Sequence, residues 1–318
     1  MNVKIYSPQD FPAYLPKLNQ LYDDLFSGGK GFRSKLVQLV SHPVKVDENI
    51  QSLLCQTIEF IHNASLLHDD LIDRSILRRG KPAAWHKYNP EYAVLAGDYL
   101  LARVMVNLSA HGNIRLVQYT SEIISDLLEG EWLQDSVVGD FFVTPGQLDR
   151  IHNLKTASLF KWCLRAPFIA LNNNDEKLHQ ILEEMGTLLG QLFQRSDDLL
   201  DYDIRNDEGK AILGDLKSGY LNSFGAFLTE KMNRQQIDRL VKSSNMNDFY
   251  LSLDSDANRG QDLFKKKVEE FDQMNTQLIK LYDHLLSELE KLTQSADLTQ
   301  NLKPLTEILY WRRKPKSN

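Results

Sequence analysis

Cysteine is nearly absent from this 318-residue chain, which holds only Cys55 and Cys163. Two thiols inside apolar runs cannot make a disulfide framework, so both read as buried and reduced, and neither is a candidate nucleophile. Proline (10) and glycine (16) are also scarce. No Pro/Gly/Ser-rich stretch parts the chain, which therefore reads as one domain over residues 1–318. Long apolar runs are missing, since no window approaches the roughly 18 uncharged residues of a membrane span. The first ten residues lack the basic and apolar segments of a secretory leader, so a soluble, cytoplasmic protein is expected. An excess of base is missing as well: 37 Lys and Arg against 43 Asp and Glu give a net charge of −6. That balance argues against a nucleic-acid surface, and an anionic ligand must instead meet local clusters of base. No Ser/His/Asp or Cys/His arrangement offers a nucleophilic centre.

What is present is helical periodicity. Apolar residues recur at intervals of three and four, as in Leu54, Ile58 and Ile61 or Leu178, Ile181, Leu182 and Met185, while alternating strand-like runs are scarce. The pattern predicts an all-α fold of about ten or more helices joined mostly by short loops. The longest polar break, 203–219, is predicted to stay outside the core, and the basic tail 312–318 to fray.

Two acidic motifs stand out. In the first, Leu66-Leu67-His68-Asp69-Asp70-Leu71-Ile72-Asp73, a turn of about 100° per residue puts Asp69, Asp73 and Asp70 at about 0°, 40° and 100°, on one helix face. An isolated DDxxD is most often a solvated stripe, but the apolar flanks predict a buried helix with its acids facing a cavity. Carboxylates so placed repel one another unless a hard divalent cation neutralises them, and Mg²⁺ accepts a few carboxylates plus phosphate oxygens and water. The spacing returns at Asp197, Asp198 and Asp201, with Gln194 about 60° from Asp197. Two acidic helices facing across a cavity could clamp a diphosphate through several Mg²⁺ ions and assist its departure. A carboxylate di-iron bundle would use Glu-x-x-His pairs such as Glu59/His62 and Glu176/His179, but it leaves six aspartates unexplained.

Local base completes the picture. Gly28-Gly29-Lys30-Gly31-Phe32-Arg33 places two cations at a predicted helix start, where free N–H groups attract phosphate. Arg78-Arg79-Gly80-Lys81 follows the first acidic helix closely. His62 lies seven residues before Asp69, about 20° from its direction. Lys155-Thr156 and Lys210 are uninformative taken singly.

Together these motifs make the chain resemble the trans-isoprenyl diphosphate synthases, the polyprenyl synthetase family, from about residue 20 onward. The ordered matches are Gly28-Gly29-Lys30 with Arg33, His62, Asp69/Asp73, Arg78-Arg79-Gly80, Gly97-Asp98, Lys155-Thr156, Phe193-Gln194 with Asp197/Asp198/Asp201, and Gly209-Lys210 with Asp215-Leu216. The resemblance implies an all-α isoprenoid synthase fold around a deep central cavity, a homodimer, and three Mg²⁺ held by Asp69, Asp70, Asp73, Asp197, Asp198 and Asp201. It implies that Lys30, Arg33, His62 and Arg79 bind isopentenyl diphosphate, and that Arg78, Lys155, Thr156, Gln194 and Lys210 bind an allylic diphosphate. Ionisation would then give an allylic carbocation, stabilised by Thr156 and a helix carbonyl near Lys155. Asp69, Asp73, Asp197, Lys155 and Thr156 are the expected catalytic set. The small residues Ala64 and Ser65 one turn before Asp69, with Ile61 beyond, would leave room for a product of C20 or longer. Three departures from the family pattern are Gly31 for arginine, Ser34 for proline, and Tyr220 and Asn222 for lysine and threonine. Alternative readings are a non-catalytic subunit of a heteromeric synthase, or a class I terpene cyclase.

Overall fold

The computed structural model describes residues 9–20, 31–78, 80–203 and 212–313. Helix dominates, as the periodicity predicts. In chain order the helices are α1 (Phe32–Ser41), α2 (Glu48–Ile72), α3 (Ala84–Lys87), α4 (Pro90–His111), α5 (Ile114–Ser136), α6 (Pro145–His152), α7 (Ser158–Ala170) and α8 (Glu176–Leu200). They continue with α9 (Gly214–Lys217), α10 (Ser223–Thr229), α11 (Arg234–Leu240), α12 (Met246–Leu253), α13 (Ala257–Thr293), α14 (Ala296–Leu302) and α15 (Leu305–Tyr310). A π-helical segment, Asn153–Ala157, joins α6 to α7, and a 3₁₀ turn, Trp311–Arg313, follows α15. The sheet among the described residues is a two-stranded ribbon, β1 (Leu77–Arg78) with β2 (Lys81–Pro82), paired antiparallel.

Local chemistry sets several of these boundaries. The Asp47 carboxylate accepts from the Asn49 and Ile50 N–H groups and so caps α2, which satisfies donors that a helix start leaves open. At α4 the Asn89 side chain caps, Pro90 takes the first turn, and Gly112 at φ 84° ends the helix in the left-handed region, where glycine carries no steric cost.

The chain divides into two compact units. The first comprises Met1–Ser125, Leu159–Gly186 and Leu289–Leu302. Within it α2 packs along α4 and α1. The segment 9–20 is tied to these helices by Asp10, 1% exposed, whose carboxylate accepts from Arg103 Nε at 3.0 Å, Asn107 Nδ2 at 2.9 Å and Gln56 Nε2 at 2.6 Å. A buried charge so completely hydrogen-bonded is tolerated where an unpaired one would not be.

The second unit comprises Asp126–Ser158, Thr187–Glu288 and Lys303–Asn318. Its core gathers Tyr202, Phe224, Phe249 and Phe271 with Leu213, Leu216 and Leu240. A buried polar chain crosses it: Arg195 donates to Asp149 at 2.7 Å and to Asn275 at 2.8 Å, Asn275 donates to the Tyr310 hydroxyl, and Tyr310 donates to Asp272.

Two expectations are corrected here. The break 203–219 does not stay outside the core: its described part carries Leu213 and Leu216 into the second unit, because these two leucines punctuate an otherwise polar run. The tail does not fray from residue 312, since Arg312 lies in the 3₁₀ turn and pairs with Asp197. Among the described residues α4 is long and apolar enough, by length and composition alone, to cross a membrane, a test that core helices of soluble proteins also pass. Its outward residues include Val94, Leu95, Ala102 and Val106, interrupted by Asp98.

Candidate active site

In the first unit the start of α1 brings two predicted residues together. Arg33 Nη1 donates to His62 Nε2 at 3.0 Å, so the His62 ring accepts there as a neutral imidazole. The helix start itself is occupied: the Ser34 N–H donates to the carboxylate of Glu59, a buried residue of α2, at 3.1 Å. One donor of the helix start is therefore engaged by the chain's own carboxylate, and Glu59 and His62 serve different partners instead of forming a metal pair. Lys30, Arg79 and Lys210, with Gly28, Gly29 and Gly209, lie outside the described residues.

The C-terminal end of α2 carries the first acidic motif. Asp69 is half-buried, Asp70 buried and Asp73 exposed at the cap position. Arg78 on β1 donates from Nε to Asp70 Oδ1 at 2.8 Å, with Nη2 on the same oxygen. Asp70 is thus spent on an ion pair, and Asp69 and Asp73 are the outer carboxylates of the motif. One turn earlier, Ser65 is half-buried and its hydroxyl donates to the His62 carbonyl. Ala64 and Ile61, 0% and 1% exposed, are packed into the core. Of the three chain-length candidates, only Ser65 is partly exposed; the other two are buried.

In the second unit the π-helical segment Asn153–Ala157 presents Lys155 and Thr156. Such bulges concentrate at functional sites, because the extra residue re-aims its neighbours. Two glycines let helices approach it. A Cβ at Gly130 on α5 would lie 2.6 Å from Lys155 N, and one at Gly190 on α8 would lie 2.3 Å from Ala157 Cα. Lys155 Nζ forms a close ion pair with Glu131 of α5. The Thr156 hydroxyl donates to Gln194 Oε1 at 3.1 Å, and Gln194 Nε2 donates to Asp198 Oδ1 at 2.8 Å. Asp198 Oδ2 accepts the Ser223 N–H at 2.9 Å and the Ser223 hydroxyl. Two motifs separated in sequence, Lys155-Thr156 and Gln194 with Asp198, are here one hydrogen-bonded chain.

Asp198 is buried and serves that chain as a pillar, and desolvation pushes its carboxyl up to about 6 against its Ser223 and Gln194 donors. Asp201 accepts from the Gly214 N–H at 2.7 Å and the Asp215 N–H at 3.3 Å through Oδ1, while its buried Oδ2 has no hydrogen-bond partner among the described residues. Burial and the neighbouring Asp215 raise the Asp201 carboxyl. Asn222, one of the departures, caps α10 by accepting from Gly225 N and donates to the Asp198 carbonyl and to Asp215. Tyr220, the other, is pushed above the usual phenol range by burial and by Asp198, Asp215 and Glu131, so it stays neutral where a lysine would bring charge.

Glu131, Ser223 and Arg312 were missed by sequence reasoning. Glu131 and Arg312 belong to no motif, and Ser223 could have been suspected only from Asn222, whose residue type favours a helix cap. Among the described residues no three His, Cys, Asp or Glu side chains converge as a ready-made metal cage. Asp201 Oδ2, without a hydrogen-bond partner among the described residues, and the acidic helix ends have the hard oxygen chemistry that fits a divalent cation.

An all-α fold with two carboxylate-bearing helix ends defines the class. A model of the polyprenyl synthetase family matches residues 15–249, and the chain belongs to that family. It is similar to octaprenyl diphosphate synthase of Escherichia coli (strain K12), 34% identical over 204 residues that span 64% of this chain and 63% of that protein. The chain thus spans less than two thirds of this relative's length. The fold is similar to the crystal structure of a decaprenyl diphosphate synthase from Rhodobacter capsulatus, with TM-score 0.81, 27% identity and coverage of 95% of this chain and 92% of that one. It is also similar to polyprenyl synthase from Caulobacter crescentus CB15 complexed with calcium and isoprenyl diphosphate, with TM-score 0.74, 25% identity and coverage of 95% and 90%.

Proposed function

We propose that the chain is a prenyltransferase that condenses isopentenyl diphosphate with an allylic diphosphate to give a trans-polyprenyl diphosphate of C20 or longer, residues 1–318 acting as one synthase domain. The observation that carries this reading is a paired electrostatic conflict. Two 25-residue helices, α2 and α8, each run into three carboxylates at the C-terminal end with no basic residue in the last turn. That end already bears the negative pole of the helix dipole, so an ionised acid there opposes stability by about 0.3–1 kcal/mol unless a cation offsets it, as Arg78 does for Asp70 and Arg312 for Asp197. Such an arrangement makes sense where a cation is bound in use.

Asp69 and Asp73 would hold two Mg²⁺ and Asp197 a third, with Asp201 beside it; the calcium named for the Caulobacter structure supports divalent metal use. Bound metal would supply the Lewis acidity that lets the allylic diphosphate leave. The chain's own residues do the rest. Lys155 is held by Glu131 as a fixed cation toward the allylic diphosphate. The Thr156 hydroxyl has committed its hydrogen to Gln194, so its oxygen presents lone pairs rather than a proton to an allylic cation. Arg33 and His62, paired on the other unit, would bind the diphosphate of isopentenyl diphosphate. No chain base is needed for the last step, because the released pyrophosphate can take the proton.

Two further properties belong to this reading. The apolar stripe of α4 supports a homodimer through that face. The two free buried thiols suit a cytoplasmic setting.

The reading is tested by turnover of isopentenyl and farnesyl diphosphates with saturating Mg²⁺. Asp69→Ala and Asp197→Ala should each lower kcat at least about a hundredfold, the scale of one transition-state electrostatic contact. Asp135→Ala, an exposed acid outside both motifs, should leave it unchanged. Near wild-type turnover in either motif variant would refute the metal assignment.

A further inference from the structure

Asp197 opens the second acidic motif, yet its carboxylate is not waiting for a ligand. Arg312 Nη2 donates to Asp197 Oδ1 at 2.8 Å, and the same guanidinium reaches the Phe193 carbonyl and, through Nε, the Ser196 hydroxyl, each at 3.4 Å. Its plane lies over the Phe193 ring, 4.1 Å from the centroid. Both partners' side chains are 27% exposed, so the pair is less screened than a surface one. A guanidinium held by a carboxylate, a carbonyl, a hydroxyl and an aromatic face is a built site and not a passing contact.

The turn that presents Arg312 is itself fixed. Tyr310, immediately before it, is 0% exposed and packs with Leu192 of α8 and Ile279 of α13. Its hydroxyl donates to Asp272 and accepts from Asn275, which in turn accepts from Arg195, two residues before Asp197. Trp311 stacks edge-on against Tyr310 at 4.7 Å. The C-terminal turn and the acidic end of α8 are therefore one assembly, with the last described helix delivering a cation to the motif's leading carboxylate.

We propose that Arg312 is the resident counter-charge of the second acidic motif, and that a divalent cation binds at Asp197 by displacing it. This rests on the reading above that Asp197 is a metal ligand. Arg312 holds Oδ1, and an ion that takes that oxygen would face the guanidinium's repulsion, so ligation through Oδ1 replaces the arginine. Arg312 thereby sets how tightly the second motif holds its metal. Its natural swing is toward the Phe193 face, where it already stacks, which keeps the vacated guanidinium attached to α8.

The test is a titration of the full chain with Mn²⁺, free ion being counted by electron paramagnetic resonance, for wild type, Arg312→Gln, Arg312→Lys and Asp197→Asn. Asp197→Asn should lose one class of bound ion. Arg312→Gln should keep the number of ions and tighten that same class by about two- to fivefold, the scale of one partly screened ion pair. Arg312→Lys keeps the charge and should stay near wild type, which also separates a charge effect from damage to the fold. Unchanged or weaker binding in Arg312→Gln, with Asp197→Asn still losing its ion, would overturn the displacement and leave the metal reading standing. If Asp197→Asn keeps every ion, the metal reading itself fails, and this inference with it.

Discussion

Ser34 occupies the position where the family pattern has proline, and the structure shows what the exchange adds: a backbone N–H that donates to buried Glu59. Proline has no such donor. Residue-scale chemistry of this sort also governs the response to pH. Asp198 has its carboxyl raised from 3.8 to about 6 by burial. A group whose folded value lies above its unfolded one stabilises fully at low pH, and that contribution is lost as pH rises through the folded value. His152, which burial pushes down to about 4, titrates in the opposite sense across the same window, so the wild-type curve alone is ambiguous. Comparison with Asp198→Asn resolves it. In EDTA, the unfolding free energy of the variant relative to wild type should rise between pH 4 and pH 6 by up to about 3 kcal/mol, whatever constant offset the amide introduces. A difference that stays flat in urea melts across that range would show that the carboxylate is not held out of water. The candidate residues themselves were legible because their spacing is periodic. Their partners were not: Glu131 meets Lys155, and Arg312 meets Asp197, through folding that no local spacing encodes.

Elements were legible to the extent that one face of each is buried. α2 and α8 announce themselves by apolar recurrence and carry their acids in the last turn. The break 203–219 was misread because two leucines in a polar run leave no period to detect, although Leu213 and Leu216 are what seat it. Likewise the π-helical segment has no signature beyond Gly130 and Gly190, which only in three dimensions explain why helices pass so close to Lys155 and Ala157. On α2 the structure also sharpens the chain-length argument. Ser65 is half-buried and Ala64 fully buried, one residue apart. Ser65→Phe should therefore shorten the product by one or more five-carbon units while the protein folds normally. Ala64→Phe should instead overpack the first unit and cost about 1–3 kcal/mol in a thermal or urea melt. Chromatographic sizing of products from both variants checks this, and an unchanged product distribution in Ser65→Phe would place the limit on chain length elsewhere.

At the scale of the whole molecule, a chain with net charge −6 gathers its candidate bases and candidate metal ligands at a few places. The first unit pairs Arg33 with His62 and carries Asp69 and Asp73; the second links Thr156, Gln194 and Asp198 and carries Asp197 and Asp201. Membership of the polyprenyl synthetase family was readable from ordered motifs, because the chemistry of diphosphates fixes residue types at fixed spacings. The outward face of α4 was not, since apolar residues at helical intervals read the same whether the face meets a core or lies open. The central claim is metal-dependent elongation of a prenyl chain, and product analysis tests it most directly. The purified chain is incubated with labelled isopentenyl diphosphate, Mg²⁺ and, in turn, dimethylallyl, geranyl or farnesyl diphosphate, and the products are sized after removal of the diphosphate. The account predicts labelled polyprenyl chains of C20 or longer that vanish when EDTA replaces Mg²⁺. Label that stays in isopentenyl diphosphate with every allylic partner, or hydrolysis and cyclisation of the allylic substrate alone, would contradict it.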